Sequence, residues 1–382
     1  MKLSIFLSAA LLFLAASNVQ AQTNRRLLCY WMPGIPASHI NPWLCTHIAY
    51  SFLGLTAQGG LTFLWRSEAE VVSHLQSVVA LKAQNPALQI IIAVGGYNVP
   101  LVPVWSAMAA SAAARNSFAN NLLAFVRQHN LNGVDIDWEF PNYDGTAPQD
   151  RDNFSILMET LRAVLPSEYS LSAAIGAGAW RTNLSYDIPR IFVPATWIGL
   201  MTYDLHGSWE PRTGLHTAMY RSSLDPTDQN VDASVQLVLS RGGTRDKLYM
   251  GLASYGIGFT LDNAALNGVG APASGGPFMA YNQICQRLNA NTLTRVWEPT
   301  QLCPYAFQGT LWVGYEDRES IIYKANYIVN QNLGGGLFWV LDDDDHSNVC
   351  GHGNFPIIWP ASDIIVWGWR TRPSMQRNTT FV

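Results

Sequence analysis

Charged residues are scarce in this sequence of 382 residues. Lysine and arginine number 23, aspartate and glutamate number 27, and together they make up 13% of the chain, with a formal net charge of −4. No basic run or basic face is present, which argues against binding to nucleic acid or to an anionic membrane surface. Beyond its first residues the chain also lacks the roughly 20 uninterrupted apolar residues that a spanning helix needs. We therefore expect no nucleic-acid partner and no membrane partner.

The first 21 residues have the pattern of a secretory signal peptide. Lys2 supplies the positive charge, residues 3–16 form an apolar stretch too short to span a bilayer, and Val19-Gln20-Ala21 offers a small-residue cleavage site. We expect a secreted, extracellular protein whose mature chain begins near Gln22. Three sequons are glycosylation sites if they are exposed, at Asn153, Asn183 and Asn378.

Cysteine is also sparse, with five residues in the whole chain. Some cysteine fits an oxidising compartment, and an odd number leaves one thiol over. Cys29 and Cys45 lie near the ends of two predicted strands and are expected to pair. Cys285 with Cys350 is the next plausible disulfide. Cys303 is then either a buried free thiol or a link to another chain.

Short apolar or β-branched runs alternate with helical patterns along the chain. We predict strands at residues 27–31, 47–52, 89–95, 133–139, 170–175, 197–203, 247–253 and 336–341. Helical periodicity falls between them at residues 67–82, 115–129, 150–165, 232–241 and 318–331. Eight strand–helix units predict an α/β fold, a closed (β/α)8 TIM barrel with a parallel sheet.

The chain is longer than the roughly 250 residues that such a barrel takes. The surplus falls mainly in residues 259–313, which contain a helix-like stretch at 281–288 and a strand-like stretch at 306–315. We interpret this segment as a small α+β domain inserted between the seventh and eighth strands. The barrel would then consist of residues 22–258 and 314–382, with 1–21 as the signal peptide.

The most informative feature is the run of three carboxylates at two-residue spacing, Asp135, Asp137 and Glu139. Side chains alternate faces along a strand, so all three would project to one side while apolar residues take the other. Like charges this close push their pKa values apart and leave one acid protonated near neutral pH, which suits general acid catalysis. An exposed acidic strand face and a Ca²⁺ or Mg²⁺ site are weaker alternatives.

Aromatic residues are abundant, with 14 Trp, 15 Tyr and 15 Phe. We expect most of them in the core, but they also fit a carbohydrate cleft.

These acids resemble the fourth-strand motif of family 18 glycoside hydrolases, the chitinases and chitinase-like lectins. Residues 133–141 (GVDIDWEFP) match that motif, and the resemblance extends over nearly the whole mature chain. Other matching segments are 45–47 with 50–52 on the second strand, 92–98 (IAVGGYN) on the third, 201–204 (MTYD) with 206–209 (HGSW) on the sixth, and 335–339 (GGLFW) with 342–345 on the eighth. Cys285 and Cys350 also fall where secreted animal members place a disulfide.

The resemblance implies a mechanism for the acids. Glu139 would be the acid and base, Asp137 would orient the 2-acetamido group, Asp135 would tune Asp137, and Tyr203 would bind the acetamido carbonyl. Retaining enzymes usually carry a second carboxylate nucleophile, but this family is among the exceptions. The residues implied to bind substrate are Asp204, Trp339, Met201, Phe52, Tyr30, Trp31, Gly96, Tyr97, Asn98, Trp209 and Tyr255.

The resemblance thus implies a secreted, retaining chitinase, expected to be a monomer that binds chitin or chitooligosaccharides and needs no cofactor and no metal. The acidic run 342–345 suggests calcium, but a solvated loop at a strand end is the preferred interpretation. The alternative function is a chitin-binding lectin-like protein with little or no activity. Three departures from the family pattern bear on that choice: Asn132 replaces Asp, Tyr97 replaces Trp, and Ile257 replaces an Arg after the seventh strand.

Overall fold

The computed structural model describes residues 25–368 and is built around a closed barrel of parallel strands. In chain order the strands are β1 (Arg26–Trp31), β2 (His47–Leu55), β3 (Leu61–Thr62), β4 (Gln89–Gly96), β5 (Gly133–Trp138), β6 (Ser170–Gly176), β7 (Trp197–Met201), β8 (Leu248–Ala253), β9 (Tyr255–Leu261), β10 (Ala273–Ser274), β11 (Phe278–Ala280), β12 (Thr294–Glu298), β13 (Cys303–Gln308), β14 (Leu311–Gly314) and β15 (Gly335–Trp339). The predicted signal peptide and the sequon at Asn378 lie outside the described residues.

The barrel order is β1-β15-β8-β7-β6-β5-β4-β2, and the pairing of β1 with β2 closes the ring. Every neighbouring pair in this ring is parallel. The (β/α)8 barrel predicted from the eight runs is therefore confirmed. In such a barrel the carboxyl ends of all the strands meet at one mouth, where active sites lie.

Helices cover the outside of the barrel, except α8 (Tyr281–Asn289), which packs against the second sheet described below. They are α1 (Glu68–Val79), α2 (Val102–Ala110), α3 (Ala112–Gln128), α4 (Asp150–Val164), α5 (Ala179–Ser185), α6 (Ile188–Phe192), α7 (Val231–Ser240), α8 (Tyr281–Asn289), α9 (Arg318–Asn330) and α10 (Ile358–Ile365). Ser67 caps α1 by accepting from the Glu70 backbone N–H while the Glu70 carboxylate accepts from that of Ser67, a reciprocal capping box. No helix among residues 25–368 is long and apolar enough to cross a membrane.

A second, antiparallel sheet follows the seventh barrel strand in the order β10-β9-β14-β13-β12, with β11 also paired to β9. It begins at Tyr255 and ends at Gly314, slightly wider than the predicted segment 259–313, because only Ser254 separates β9 from the barrel strand β8. The single strand expected at 306–315 is wrong. It is two antiparallel strands, β13 and β14, that turn between Gln308 and Leu311.

The structure pairs Cys29 with Cys45 and Cys285 with Cys350. Cys303 is free and fully buried, and its sulfur lies 3.2 Å from the Lys324 Nζ. A thiol this deep cannot reach another chain, so the alternative of an intermolecular link is wrong.

The acidic run after β15 is not the solvated loop that we expected. Asp344 and Asp345 are fully buried, and Asp342 is also enclosed. Their carboxylates accept backbone N–H groups: Asp342 from Met32 and Ile35, Asp344 from Ile358, and Asp345 from Val349 and Cys350. The run therefore fixes the chain after β1 and the start of α10, a structural task that the sequence pattern does not reveal.

Candidate active site

The three carboxylates of the central motif enter the barrel interior together. Asp135 and Asp137 lie on β5 with exposed fractions of 1% and 3%, and half-buried Glu139 follows the end of the strand at the mouth. The alternate residues face the helices and belong to the outer core: Val134, Ile136 and Trp138. Strand alternation thus separates the acids from the apolar face as the sequence suggests.

Asp135 is the deepest of the three acids and has partners for both oxygens. The Tyr30 hydroxyl donates to Oδ2 at 2.8 Å, and the Ser172 hydroxyl donates to Oδ1 at 2.6 Å. Burial raises the pKa of Asp135, while these two hydrogen bonds act in the opposite direction. Asp135 is therefore held in one orientation by its neighbours on β1 and β6.

Asp137 lies one step nearer the mouth and is less well satisfied. Its Oδ1 atom is buried and has no hydrogen-bond partner among residues 25–368. Burial raises the pKa of Asp137 well above its usual value, and the charges of Glu139 and Asp135 raise it further. A buried carboxylate oxygen without a donor is costly, so this atom is suited to accept an N–H or O–H from a ligand.

Glu139 is at the mouth itself. Burial raises its pKa to about 8, the negative charge of Asp204 contributes to the rise, and the positive charge of Arg181 opposes it. This shift favours the protonated form of the carboxyl group at neutral pH. An acid with a pKa near the working pH is well placed to donate a proton and later to take one back.

Tyr203 and Asp204 follow β7 and face the acids. The Tyr203 side chain is buried, and its ring lies 6.2 Å from that of Tyr255. Asp204 has a φ of 55° and accepts a hydrogen bond of 2.6 Å from the Tyr255 hydroxyl. The Nδ1 atom of buried His216 lies 3.7 Å from the same Asp204 oxygen, Oδ1. Asp204 is thus held at the mouth by groups from two other segments.

An aromatic floor closes the interior between β15 and β2. The Trp339 ring stacks on Phe52 with a centroid distance of 5.5 Å and an interplanar angle of 19°, and it lies 5.4 Å from Tyr30. Gly96 ends β4 with a φ of 78°, and a Cβ there would collide with the Phe52 ring. Met201, buried at the end of β7, belongs to the same interior cluster. A flat half-buried Trp at this place can stack against the face of a sugar.

The rim of the mouth carries exposed rings. Tyr97 and Trp209 have exposed fractions of 65% and 66%, and Asn98 is half-buried beside Tyr97. The loop that carries Trp209 is held by His206, whose Nδ1 and Nε2 atoms lie 3.0 Å from Glu210 and 2.9 Å from Asp225. Burial acts to lower the pKa of His206, but the hydrogen bonds to Asp225 and Glu210 raise it to about 9. Two carboxylates therefore hold His206 and the loop that contains it.

The expectation that Trp31 lines the cleft is wrong. Tyr30 points into the barrel, so Trp31 points to the opposite side of β1, where its ring packs against Tyr50 and His74. Its Nε1–H donates to the Ile35 carbonyl oxygen at 3.0 Å. Strand alternation, which predicted the face of the acids, excludes Trp31 for the same reason.

Three residues at the site were not found from the sequence. Ser172 pairs in register with Asp135 across β5 and β6, so an inward-facing serine on the neighbouring strand was a usable signal. His216 lies in the long segment between β7 and α7, where no periodic pattern places it. Arg181 comes from the short helix α5, which was not predicted.

Besides Tyr97 at the rim, two other residues depart from the family pattern. Asn132 lies at the bottom of the barrel, where its Oδ1 accepts from Lys82 and from the Ile90 backbone, far from the mouth. Ile257 is a buried residue of β9, and its side chain has no hydrogen-bond donor. Within residues 25–368 one group has metal-type ligands in reach, Cys285, Asp345 and Cys350, but its cysteines form a disulfide.

A parallel barrel whose mouth carries two carboxyl groups with raised pKa values above an aromatic floor suits the chemistry of a glycoside hydrolase. Residues 18–344 match the model of the glycosyl hydrolases family 18, and the chain belongs to that family.

Three known proteins illustrate the range of similarity. Chitotriosidase-1 of Mus musculus is 33% identical over 346 residues, covering 84% of this chain and 71% of the mouse protein. Group IV chitinase of Ostrinia furnacalis, solved in complex with allosamidin, has a TM-score of 0.84 at 29% identity and covers 89% of this chain and 98% of that one. Human YKL-39, described as a pseudo-chitinase with retained chitooligosaccharide binding, has a TM-score of 0.80 at 29% identity. The match covers 88% of this chain and 98% of the human one.

Proposed function

We propose that this protein is a retaining chitinase that hydrolyses β-1,4-linked N-acetylglucosamine polymers, with Glu139 as acid and base. The observation that carries the proposal is the graded environment of three acids on one strand face. Asp135 has partners for both oxygens, Asp137 has a buried oxygen without a donor, and Glu139 has a pKa raised to about 8. The unpaired oxygen of Asp137 lies between two other acids of the same strand face, at the mouth where a ligand can reach it.

In the first step Glu139 gives its proton to the glycosidic oxygen as the bond from that oxygen to the anomeric carbon breaks. The 2-acetamido carbonyl oxygen of the same sugar attacks the anomeric carbon and forms a cyclic oxazolinium ion. The unpaired Oδ1 of Asp137 accepts the acetamide N–H and stabilises the positive charge that develops. The Tyr203 hydroxyl donates to the acetamido oxygen and so favours the attacking orientation.

In the second step Glu139, now a carboxylate, takes a proton from an incoming water molecule. The resulting hydroxyl attacks the anomeric carbon from the side that the leaving group vacated, and the acetamido group is released. Two displacements at one carbon leave its configuration unchanged. Asp135 and Asp137 act as a coupled pair in which one proton is shared, because both are buried and adjacent on one face of β5.

The substrate class follows from the floor and the rim. Trp339 on Phe52 offers a flat surface for the sugar at the cleavage point, and Tyr97 and Trp209 offer rings for sugars farther along a chain. The printed descriptions of similar structures name allosamidin and chitooligosaccharide as ligands of those proteins. We extend that ligand class to this chain as chitin or its oligomers, bound by a monomer.

We propose an extracellular location as well. Two disulfides in a chain that begins with a signal-like segment suit an oxidising compartment. Asn183 is exposed on α5 and Asn153 is half-buried on α4, so Asn183 is the better glycosylation site of the two.

A chitin-binding protein without activity is the second candidate. It is favoured by Ile257, which removes a bidentate donor, and by the likeness to human YKL-39. The presence of all four proposed catalytic residues favours the enzyme, because each has a role in the mechanism above. They are Asp135, Asp137, Glu139 and Tyr203.

The test is the release of fluorophore from chitobioside and chitotrioside conjugates by the purified mature protein and by Glu139→Gln. Exposed Glu168, in the loop before β6 at the opposite end of the barrel, supplies the matched control Glu168→Gln. We expect turnover by the parent and the control and a loss of about 10²–10⁴-fold in Glu139→Gln. Binding of chitooligosaccharides without turnover by the parent would establish the lectin-like alternative, and equal turnover by all three would remove Glu139 from the mechanism.

A further inference from the structure

Arg181 extends from α5 to the loop after the neighbouring strand β5. Its guanidinium carbon lies 4.3 Å from the ring centroid of Phe140, 4.5 Å from that of Trp180 and 5.5 Å from that of Tyr143. Its Nη1 donates to the Tyr143 carbonyl oxygen at 2.9 Å. Cation–π contacts and a hydrogen bond together hold the planar group in one place.

The stem of Arg181 is equally constrained. It lies against Gly176 at the end of β6, where a Cβ would come within 2.6 Å of the Arg181 Cγ. The absence of a side chain at Gly176 therefore leaves the channel through which Arg181 passes. A freely mobile surface arginine would need no such gap.

The charged and titratable groups around Glu139 come from four parts of the mouth. Asp137 lies on β5, Asp204 follows β7, Arg181 follows β6, and three phenols complete the set: Tyr97, Tyr186 and Tyr203. Among these groups of the described chain, Arg181 is the one cation. Ile257 contributes no charge from β9, so the positive charge among these described groups comes from the β6 side.

We propose that Arg181 is a positioning residue that acts through Glu139, stabilising its carboxylate between the two chemical steps. This inference rests on the function proposed above. After Glu139 has given its proton to the leaving group, it must persist as a carboxylate beside the negative Asp204 until water arrives. A guanidinium fixed against Phe140, the residue that follows Glu139, offsets that repulsion and favours the carboxylate that then accepts the proton from water.

The proposal is tested first without substrate, by ¹³C NMR titration of the glutamate carboxyl groups. The Glu139 signal is assigned by its loss in Glu139→Gln. We expect Arg181→Gln to raise the titration midpoint of Glu139 by about one pH unit, because an opposite charge has been removed. Arg181→Lys should keep the midpoint near that of the parent, and exposed Arg127→Gln is the control for general effects of charge.

The second readout is the pH profile of kcat/KM on a chitotrioside conjugate, together with circular dichroism and Tm to verify folding. The alkaline limb of Arg181→Gln should move up with the midpoint, and Arg181→Lys should restore it. A fall in kcat with an unchanged midpoint and limb would show a merely structural arginine and overturn the proposal. If the parent hydrolyses nothing, the proposed function and this role are both overturned, even if Arg181→Gln shifts the midpoint of Glu139. If the parent is active and Arg181→Gln leaves the midpoint unshifted, this role alone is overturned.

Discussion

Two acidic runs lie at the ends of barrel strands, and they have opposite relations to their surroundings. In residues 135–139 the carboxyl groups point into the mouth, and Asp137 keeps a buried oxygen with no donor among the described residues. In residues 342–345 the buried carboxylates of Asp344 and Asp345 accept backbone N–H groups from distant segments. Each run contains three or more acids, two of them buried, yet one run is arranged for a ligand and the other for the fold.

The difference shows that burial alone does not mark a catalytic acid. Burial raises the pKa of Asp344 to about 7, close to the value of about 8 reached by Glu139. What distinguishes the two sites is the identity of the partners, backbone amides for Asp344 and like-charged side chains for Glu139. Perturbed pKa values thus become informative about function only beside the list of hydrogen bonds.

The largest effect that separates the two runs is expected from Asp137→Asn. The amide cannot offer the same negative charge to the oxazolinium, so kcat on a chitotrioside conjugate should fall by about 10²–10³-fold. Tm should stay unchanged or rise, because a buried unpaired carboxylate has been removed. Asp262→Asn, at an exposed position, is the matched control. Retained turnover with a lowered Tm would make Asp137 a structural acid.

The reverse result is expected from Asp345→Asn. The backbone N–H groups of Val349 and Cys350 each donate to one oxygen of Asp345, and in the variant one of them would face an amide NH₂ instead. The loss of that hydrogen bond should destabilise the fold by about 2 kcal/mol. Urea denaturation measures the free energy of unfolding, and kcat per folded molecule should stay within twofold of the parent. A loss of activity without a loss of stability would erase the contrast between the two runs.

The pH dependence sharpens the assignment of Glu139. The group must be protonated to act as an acid and has a pKa of about 8, so kcat/KM should fall about tenfold per pH unit above that value. The folded pKa is raised above the ordinary 4.5, so the unfolded chain releases this proton first and the free energy of unfolding declines from about pH 4.5 to about 8. Glu139→Gln should lack that part of the decline. A rate that rises steadily to pH 10 would contradict the role as an acid.

The smallest effect is expected from Tyr255→Phe. It removes the hydroxyl that donates to Asp204 at 2.6 Å and leaves the ring in place. Asp204 would hold the substrate less firmly, and KM should rise about fivefold, which corresponds to about 1 kcal/mol, with kcat within twofold. Tyr220→Phe, at an exposed ring, is the control. A large fall in kcat at unchanged KM would move Tyr255 from binding into the chemistry.

Local periodicity explains which parts of this molecule could be predicted. The eight barrel strands and the inward direction of Asp135, Asp137 and Glu139 follow from patterns within a few residues. The same alternation, applied to β1, separates Tyr30 from Trp31, and the expectation that Trp31 lines the cleft did not take it into account. The hydrophobic pattern did not indicate the strand break between Gln308 and Leu311, because apolar residues continue on both sides of the turn.

Partners that are distant in the chain could not be predicted. Asp342 binds the backbone of Met32, which lies 310 residues away, and no pattern in the acidic run indicates that contact. Arg181 reaches Tyr143 from a helix of seven residues, too short for its periodicity to be recognised. Both contacts depend on how loops close over the barrel, and loop geometry leaves little trace in hydrophobic spacing.

The most direct test of the central claim is the configuration of the first product released from chitopentaose, followed by ¹H NMR before mutarotation. Substrate-assisted attack by the acetamido group predicts the β anomer from the parent and no product on the same time scale from Glu139→Gln. The α anomer would show direct attack by water and contradict the mechanism, and intact chitopentaose with the parent enzyme would contradict the assignment as a chitinase.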